Sequence, residues 1–331
     1  MRTGWTHGLG LAAAALLACA APAAARAVPP TDAQPAPALA LAPDPVPRTA
    51  ILSAFDPEWQ VLRAALADPA EREIGGTRFV TGTLHGQPVL LFLSGMSMVN
   101  AAMATQNALD HFTVRRILIS GIAGGVDPAL HVGDVVVPER WGEYLESIFA
   151  RAAGGGFAPP PGHETPFPPY GMIYPRAVEV RRAGAAAPER RFWFAADPAL
   201  LALARRVAGA VRLERCAAGR CLDRAPRIRV GGAGVSGPVF LDNAQVRAYA
   251  FRTFHAEAVD MESAAVAHVA YVAGVPFIAF RSLSDLAGGD PRANQAATFF
   301  GLASANAAAV VDAFVAALPP ATLPDGRPAD R

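Results

Sequence analysis

The chain has 331 residues, of which 52% are hydrophobic and 17% charged, and its formal net charge is +1. That length buries a full core, and the near-neutral balance provides no electrostatic footprint for nucleic acid or another polyanion. No lysine occurs in the sequence, which excludes Schiff-base chemistry by an internal lysine amine.

Residues 1–25 carry Arg2 near the start, an apolar run from Leu9 through Leu17, and small residues from Ala20 to Ala25. This is the layout of a secretory signal peptide whose apolar part is too short for a membrane span, so an exported protein, periplasmic or secreted, is expected. Leu16-Leu17-Ala18-Cys19 also has the form of a bacterial lipobox, in which Cys19 is lipidated; the alternative is a cysteine that simply falls in the apolar region. Residues 26–48 are rich in proline and alanine and bury too little side chain to offset their ordering, so they read as a solvated spacer. The globular domain is expected over residues 49–318, followed by a proline-containing tail over 319–331.

Ala50 to Ala54 is a short apolar run, and helix-start chemistry follows: Asp56 as N-cap, Pro57 at the first helical position, Glu58 in the first turn. Glu58 either complements the helix dipole or serves as an acid at a strand end. Phe79 to Leu84 and Pro88 to Leu93 read as a hairpin around His85-Gly86, and an amphipathic helix follows from about Val99 to His111. Arg116 to Ser120 is a buried strand running into Gly121-Ile122-Ala123-Gly124-Gly125. That stretch reads as a glycine-rich turn where a ligand approaches the backbone, so Ala123 and Gly124 are substrate-lining candidates.

Residues 144–191 hold Gly154-Gly155-Gly156 and Pro159-Pro160-Pro161 and read as a mostly irregular insertion, whose aromatic residues line a pocket, meet another subunit, or pack on the surface. Helical spacing returns from Phe194 to Val211. Cys216 and Cys221 read as a small disulfide loop in an exported protein, and less readily as metal ligands, because no second Cys/His pair at ligand spacing accompanies them. Arg227 to Gly231 is strand-like, and Ser236 to Asn243 comes after it.

The stretch Glu257 to Asp290 packs strand, helix and strand into one unit. Ala258 to Met261 is short and apolar, the pattern turns helical at Glu262, and Gly274 with Pro276 stops the helix before the strand Phe277 to Phe280. Ligands of open α/β sheets sit beyond the carboxyl ends of strands, so Glu262 and Asp285 are expected to face one crevice, an arrangement suited to acid and base chemistry. Each acid alone has an ordinary reading, at a helix start or a turn. His268 reads as a satisfied histidine rather than a ligand. Residues 291–296 read as a loop in which nothing assigns a ligand contact to Asn294 or Gln295, and Thr298 to Leu318 as a closing helix whose Phe299 and Phe300 cover the crevice or merely the core.

Val259-Asp260-Met261-Glu262-Ser263-Ala264-Ala265, Val275-Pro276-Phe277 and Arg281-Ser282-Leu283-Ser284-Asp285 together resemble the 5'-methylthioadenosine/S-adenosylhomocysteine nucleosidases of the nucleoside phosphorylase superfamily. The resemblance implies a three-layer αβα sandwich with a central mixed sheet, and hydrolysis of the N-glycosidic bond of a purine nucleoside. It implies Glu58 as the base that activates water, Asp285 as the acid that protonates the purine, and Glu262 on the ribose hydroxyls. Arg281 and Ser284 orient these groups, Phe240 stacks on the base, Leu241 offers its backbone to the base edge, and Met261 completes the pocket. No cofactor or metal is expected, and a homo-oligomer such as a dimer is. Ile119 stands where some phosphorylases of the superfamily carry a phosphate-binding arginine, which favours water over phosphate. Ile122 stands where the nucleosidases usually have a serine that helps hold the water. Two alternatives therefore stay open: a phosphate-dependent phosphorylase, and a nucleoside-binding or storage protein without catalysis.

Overall fold

The computed structural model describes residues 43–217, 219–290 and 293–320; the expected leader with Cys19, most of the spacer and residues 321–331 lie outside the described residues. The first strand, β1 (Asp44–Ser53), begins inside the segment expected to be spacer. Pro45 and Pro47 are accommodated because β1 pairs with β4 (Gln87–Leu93) only from Thr49 onward, so their missing N–H groups interrupt no ladder there. Helix α1 (Asp56–Ala64) follows with Phe55, not Asp56, at the N-cap position. Next come β2 (Ala67–Ile74) and β3 (Thr77–Leu84), and β3 closes an antiparallel hairpin on β4 through His85 and Gly86 as expected.

Helix α2 (Met98–His111) leads into β5 (Phe112–Gly125), which corrects one expectation. Gly121 to Gly125 is not a turn but the end of this long strand. β5 runs parallel to β1 and to β20 (Phe277–Asp285), and its last residues pair antiparallel with β19 (Ala256–Asp260). The glycines are needed for close approach rather than for turning. A Cβ on Gly121 would stand 2.6 Å from Glu58 Oε1, and one on Gly124 would stand 3.1 Å from Asp285 Oδ1.

Strands β6 (Val135–Val137) and β7 (Arg140–Glu143) extend the sheet. The insertion is mostly irregular between three short antiparallel strand pairs. β8 (Ser147–Phe149) pairs with β11 (Ile173–Pro175), β9 (Arg151–Ala153) with β10 (Gly156–Ala158), and β12 (Val178–Val180) with β13 (Glu189–Arg191). Phe167 tucks against Phe192 and Phe254, whereas Phe149 and Phe157 stay exposed. Phe194 belongs to a strand, β14 (Trp193–Ala195), and the helix expected from there starts later, as α3 (Pro198–Ala208). Asp197 caps it, accepting from the N–H groups of Ala199 and Leu200, with Pro198 at the first helical position.

A two-stranded hairpin, β15 (Cys216–Ala217) and β16 (Arg220–Cys221), is closed by the Cys216–Cys221 disulfide. A loop this short contributes roughly 2 kcal/mol by restricting the unfolded chain. Strands β17 (Ile228–Val230) and β18 (Ala233–Ser236), helix α4 (Ala244–Phe254), β19, helix α5 (Ser263–Ala273), β20 and helix α6 (Ala296–Ala316) complete the chain.

The main path of the sheet runs β14-β7-β18-β19-β5-β1-β4-β3-β2, with β20 and β6 joined to it through β5 and β17 paired to β6. Helices cover it as a three-layer αβα sandwich: α6 packs on β5 and β20 beside α1 and α3, and α2 packs on α5. The central strands β1, β4, β5 and β20 supply Ile51, Leu90, Leu118 and Ile278 to one core. Helix α6 is apolar over its length and buried at both ends: Val311 and Phe314 lie in that core, and Leu302 in a smaller cluster with Val132 and Leu222.

Candidate active site

The carboxyl ends of β1, β5, β18, β19 and β20 meet at a cavity of about 330 Å³. Its walls include Glu58, Ala123, Gly124, Phe240, Leu241, Met261, Glu262, Ser284 and Asp285, so the sequence-predicted residues come together. Arg281 stands directly behind them.

Glu58 lies in the first turn of α1, but its carboxylate folds back over the end of β1. Oε2 accepts from the N–H groups of Ala54 at 2.6 Å and Phe55 at 3.3 Å, and Oε1 accepts from the N–H of Ile122 at 2.8 Å. Both readings of this acid hold at once: it satisfies helix-start donors and it fronts the cavity. Burial pushes its carboxyl from the usual 4.5 up to about 7, while Arg281 and the backbone donors pull the other way.

Glu262 sits at the β19–α5 junction. Oε1 accepts from the Ser97 N–H at 2.8 Å and Oε2 from Arg281 at 3.2 Å. Burial also raises its pKa, opposed by Arg281 and reinforced by Asp260. Ser97 itself has φ of 90°, a conformation that costs a residue with a side chain about 1–3 kcal/mol and is held by this contact and by the start of α2.

Arg281 is 1% exposed and serves three carboxylates: Asp260 at 2.8 Å, Glu262 at 3.2 Å and Glu58 at 3.8 Å. Its Nε also donates to Ser263 Oγ, and Nη1 to the Ile122 carbonyl. Burial raises Glu58 and Glu262, and the single Arg281 cation, shared among three carboxylates, only partly opposes it.

Asp285 closes β20. Oδ2 accepts from Ser284 Oγ at 2.8 Å, and Oδ1 from the Ala287 N–H at 2.8 Å and from Asn294 Nδ2 at 3.4 Å. Burial raises its pKa, against the pull of these donors. The arrangement thus offers one carboxyl that titrates near neutrality, Glu58, and a second, Asp285, that burial shifts toward its protonated form, a pairing suited to base and acid work.

Several site residues escaped the sequence. Met96 and Phe55 line the cavity, Asp260 anchors Arg281, and Asn294, in a loop to which no ligand contact was assigned, holds Asp285; Phe300, read as covering the crevice or the core, lines the cavity too. Phe299, offered beside Phe300 as a cover for the crevice, is buried with Leu222 and Leu302 instead. Ser97 and Asn294 act through a backbone N–H and a loop side chain, which leave no periodic trace. Asp260 stood within the recognised motif, where its partner on another strand was invisible. His268 is the satisfied histidine expected, bonded to Glu143 at 3.0 Å and stacked on Phe194.

Comparison with known proteins shows the family of a chain whose strand ends gather three acids around one buried arginine. The chain belongs to the phosphorylase superfamily, whose family model matches residues 48–316. It is 32% identical over 240 residues to a 5'-methylthioadenosine/S-adenosylhomocysteine nucleosidase of Marinomonas sp. (strain MWYL1), covering 72% of this chain and 85% of that protein. It superposes on the same enzyme from Neisseria meningitidis, in complex with methylthio-immucillin-A, with a TM-score of 0.61 at 25% identity over 82% of this chain and 99% of that one. The nucleosidase of Colwellia psychrerythraea, in complex with adenine, gives a TM-score of 0.62 at 25% identity, covering 84% and 98%.

Proposed function

We propose that this protein is a nucleosidase that hydrolyses the N-glycosidic bond of a purine nucleoside of the adenosine or 5'-methylthioadenosine type. Glu58 takes a proton from the attacking water, Asp285 delivers one to the imidazole side of the departing purine, and Glu262 binds the ribose hydroxyls. Positive charge developing on the sugar is stabilised by the carboxylates around it. Arg281 is a positioning residue that fixes Glu58 and Glu262 relative to one another. Phe240 stacks on the base, and Leu241 meets its edge.

The observation that carries this reading is the charge of the cavity wall. Among the described residues its lining includes Glu58, Asp260, Glu262 and Asp285 and no arginine or histidine, so a phosphate dianion has no cation to meet, whereas water has a base. Purine release from adenosine or methylthioadenosine in phosphate-free buffer tests it, and strict dependence on added phosphate would leave a phosphorylase instead. A storage protein remains the second reading because Ile122 turns an apolar side chain toward the cavity. Its backbone N–H nonetheless donates to Glu58 Oε1 at 2.8 Å and so orients that carboxylate at the cavity. Binding without turnover, unaffected by Asp285→Asn, would favour storage.

Export is inferred from the leader alone, and fractionation of the producing cell tests it. A homo-oligomer is supported by the apolar face that α2 and α5 leave uncovered, where Val99 is 68% and Met103 65% exposed. Light scattering on the purified protein decides that point.

A further inference from the structure

We propose that a second cavity, built partly by the insertion, receives an aryl or branched-alkyl group carried on the six-membered ring of the purine. This rests on the nucleosidase reading, in which Asp285 meets the imidazole side of the base and Leu241 its opposite edge. The cavity measures about 180 Å³ and shares Val239 and Leu241 with the nucleoside pocket as a common wall. Its other sides come from Tyr170 and Ile173 in the insertion and from Val246 and Tyr249 on α4.

The chemistry of the walls selects the occupant. The Tyr249 hydroxyl donates to the Pro168 carbonyl at 2.7 Å and the Tyr170 hydroxyl to Gln245 at 3.5 Å, so ring carbon is what these tyrosines have left to offer. Their rings lie 5.2 Å apart at 50°, braced against each other. An apolar cavity of about 150 Å³ is large enough to take a benzene ring. A polar or charged substituent would lose its water with no partner in return. Ile173 and Tyr170 belong to the insertion over residues 144–191, so that segment extends the range of bases accepted rather than the chemistry performed.

The test is hydrolysis of adenosine and of N6-benzyladenosine by the full chain in phosphate-free buffer, with base release followed by chromatography. The expected result is a kcat/KM for the benzyl nucleoside no lower than for adenosine. Val246→Trp, which fills the second cavity and touches nothing in the first, then lowers the benzyl value by about 10-fold while leaving adenosine turnover in place. Should that variant lose its helical circular dichroism, Tyr170→Ala decides instead. By opening the cavity it raises turnover of the bulkier N6-(naphthylmethyl)adenosine relative to adenosine, and an unchanged ratio overturns the proposal. Cleavage of adenosine with no cleavage of the benzyl nucleoside also overturns it, as does an equal effect of Val246→Trp on both. Failure to cleave either nucleoside is distinct: it removes the nucleosidase reading, and this inference with it.

Discussion

Strand β20 and the insertion over residues 144–191 put polar groups to opposite uses. All nine residues of β20 are buried, and its Arg281, Ser284 and Asp285 are each tied to named partners inside the core. The insertion carries its arginines and acids at the surface, as in the Arg190–Glu164 pair, and exposes Phe149 and Phe157. Buried polar groups must be satisfied and so fix one geometry, whereas exposed ones cost little to move. Reaction chemistry is therefore placed where geometry is over-determined, and the adaptable segment contributes at the rim.

The largest effects come from the buried acids. Asp285→Asn and Glu58→Gln should each lower kcat by about 100- to 10,000-fold with native circular dichroism retained, as steady-state kinetics would show. Arg281→Met strips the cation from three buried carboxylates and should cost about 3–5 kcal/mol in denaturant unfolding.

The pH dependence sharpens the point because stability and activity run in opposite directions. In the folded chain Glu58 keeps its proton up to about pH 7, against 4.5 when unfolded, so the folded state holds the extra proton between these values. The stability it contributes is fully present below pH 4.5 and is lost as pH rises through 7, a difference of roughly 3 kcal/mol. Glu257, buried beside Arg229 and raised to about 7 by burial, acts in the same direction. Activity should rise over this window as Glu58 ionises and fall again once Asp285 loses its proton. A profile that stays flat through about pH 7 would contradict the role of Glu58 as base. At the small end, Phe157→Ser on the exposed β10 should alter unfolding free energy by no more than about 0.5 kcal/mol.

The residues from 257 to 285 were legible because two independent cues coincide there: apolar period changes from strand to helix to strand, and acids stand at the strand ends. The β3–β4 hairpin was legible from its turn residues. Helix α4 was not, since Arg247, Arg252 and Thr253 interrupt its apolar spacing and its cap, Asn243, closes a segment read for Phe240 and Leu241. Strand β2 is exposed along nearly all of its length and exists because β3 pairs with it, a cause that lies outside its own residues. The glycines of β5 were misread for a related reason. Glycine supplies either a turn or room for a neighbour, and here the neighbour is a side chain from a distant strand.

At Gly121 the missing side chain is itself a working part of the molecule. The carboxylate of Glu58 and the guanidinium of Arg281 occupy the volume where any other residue would carry its first carbon. Adding a single methyl group there would evict one of them and silence the enzyme while leaving every reacting group in the sequence. The position with the least chemistry of its own is thus among the least free to change.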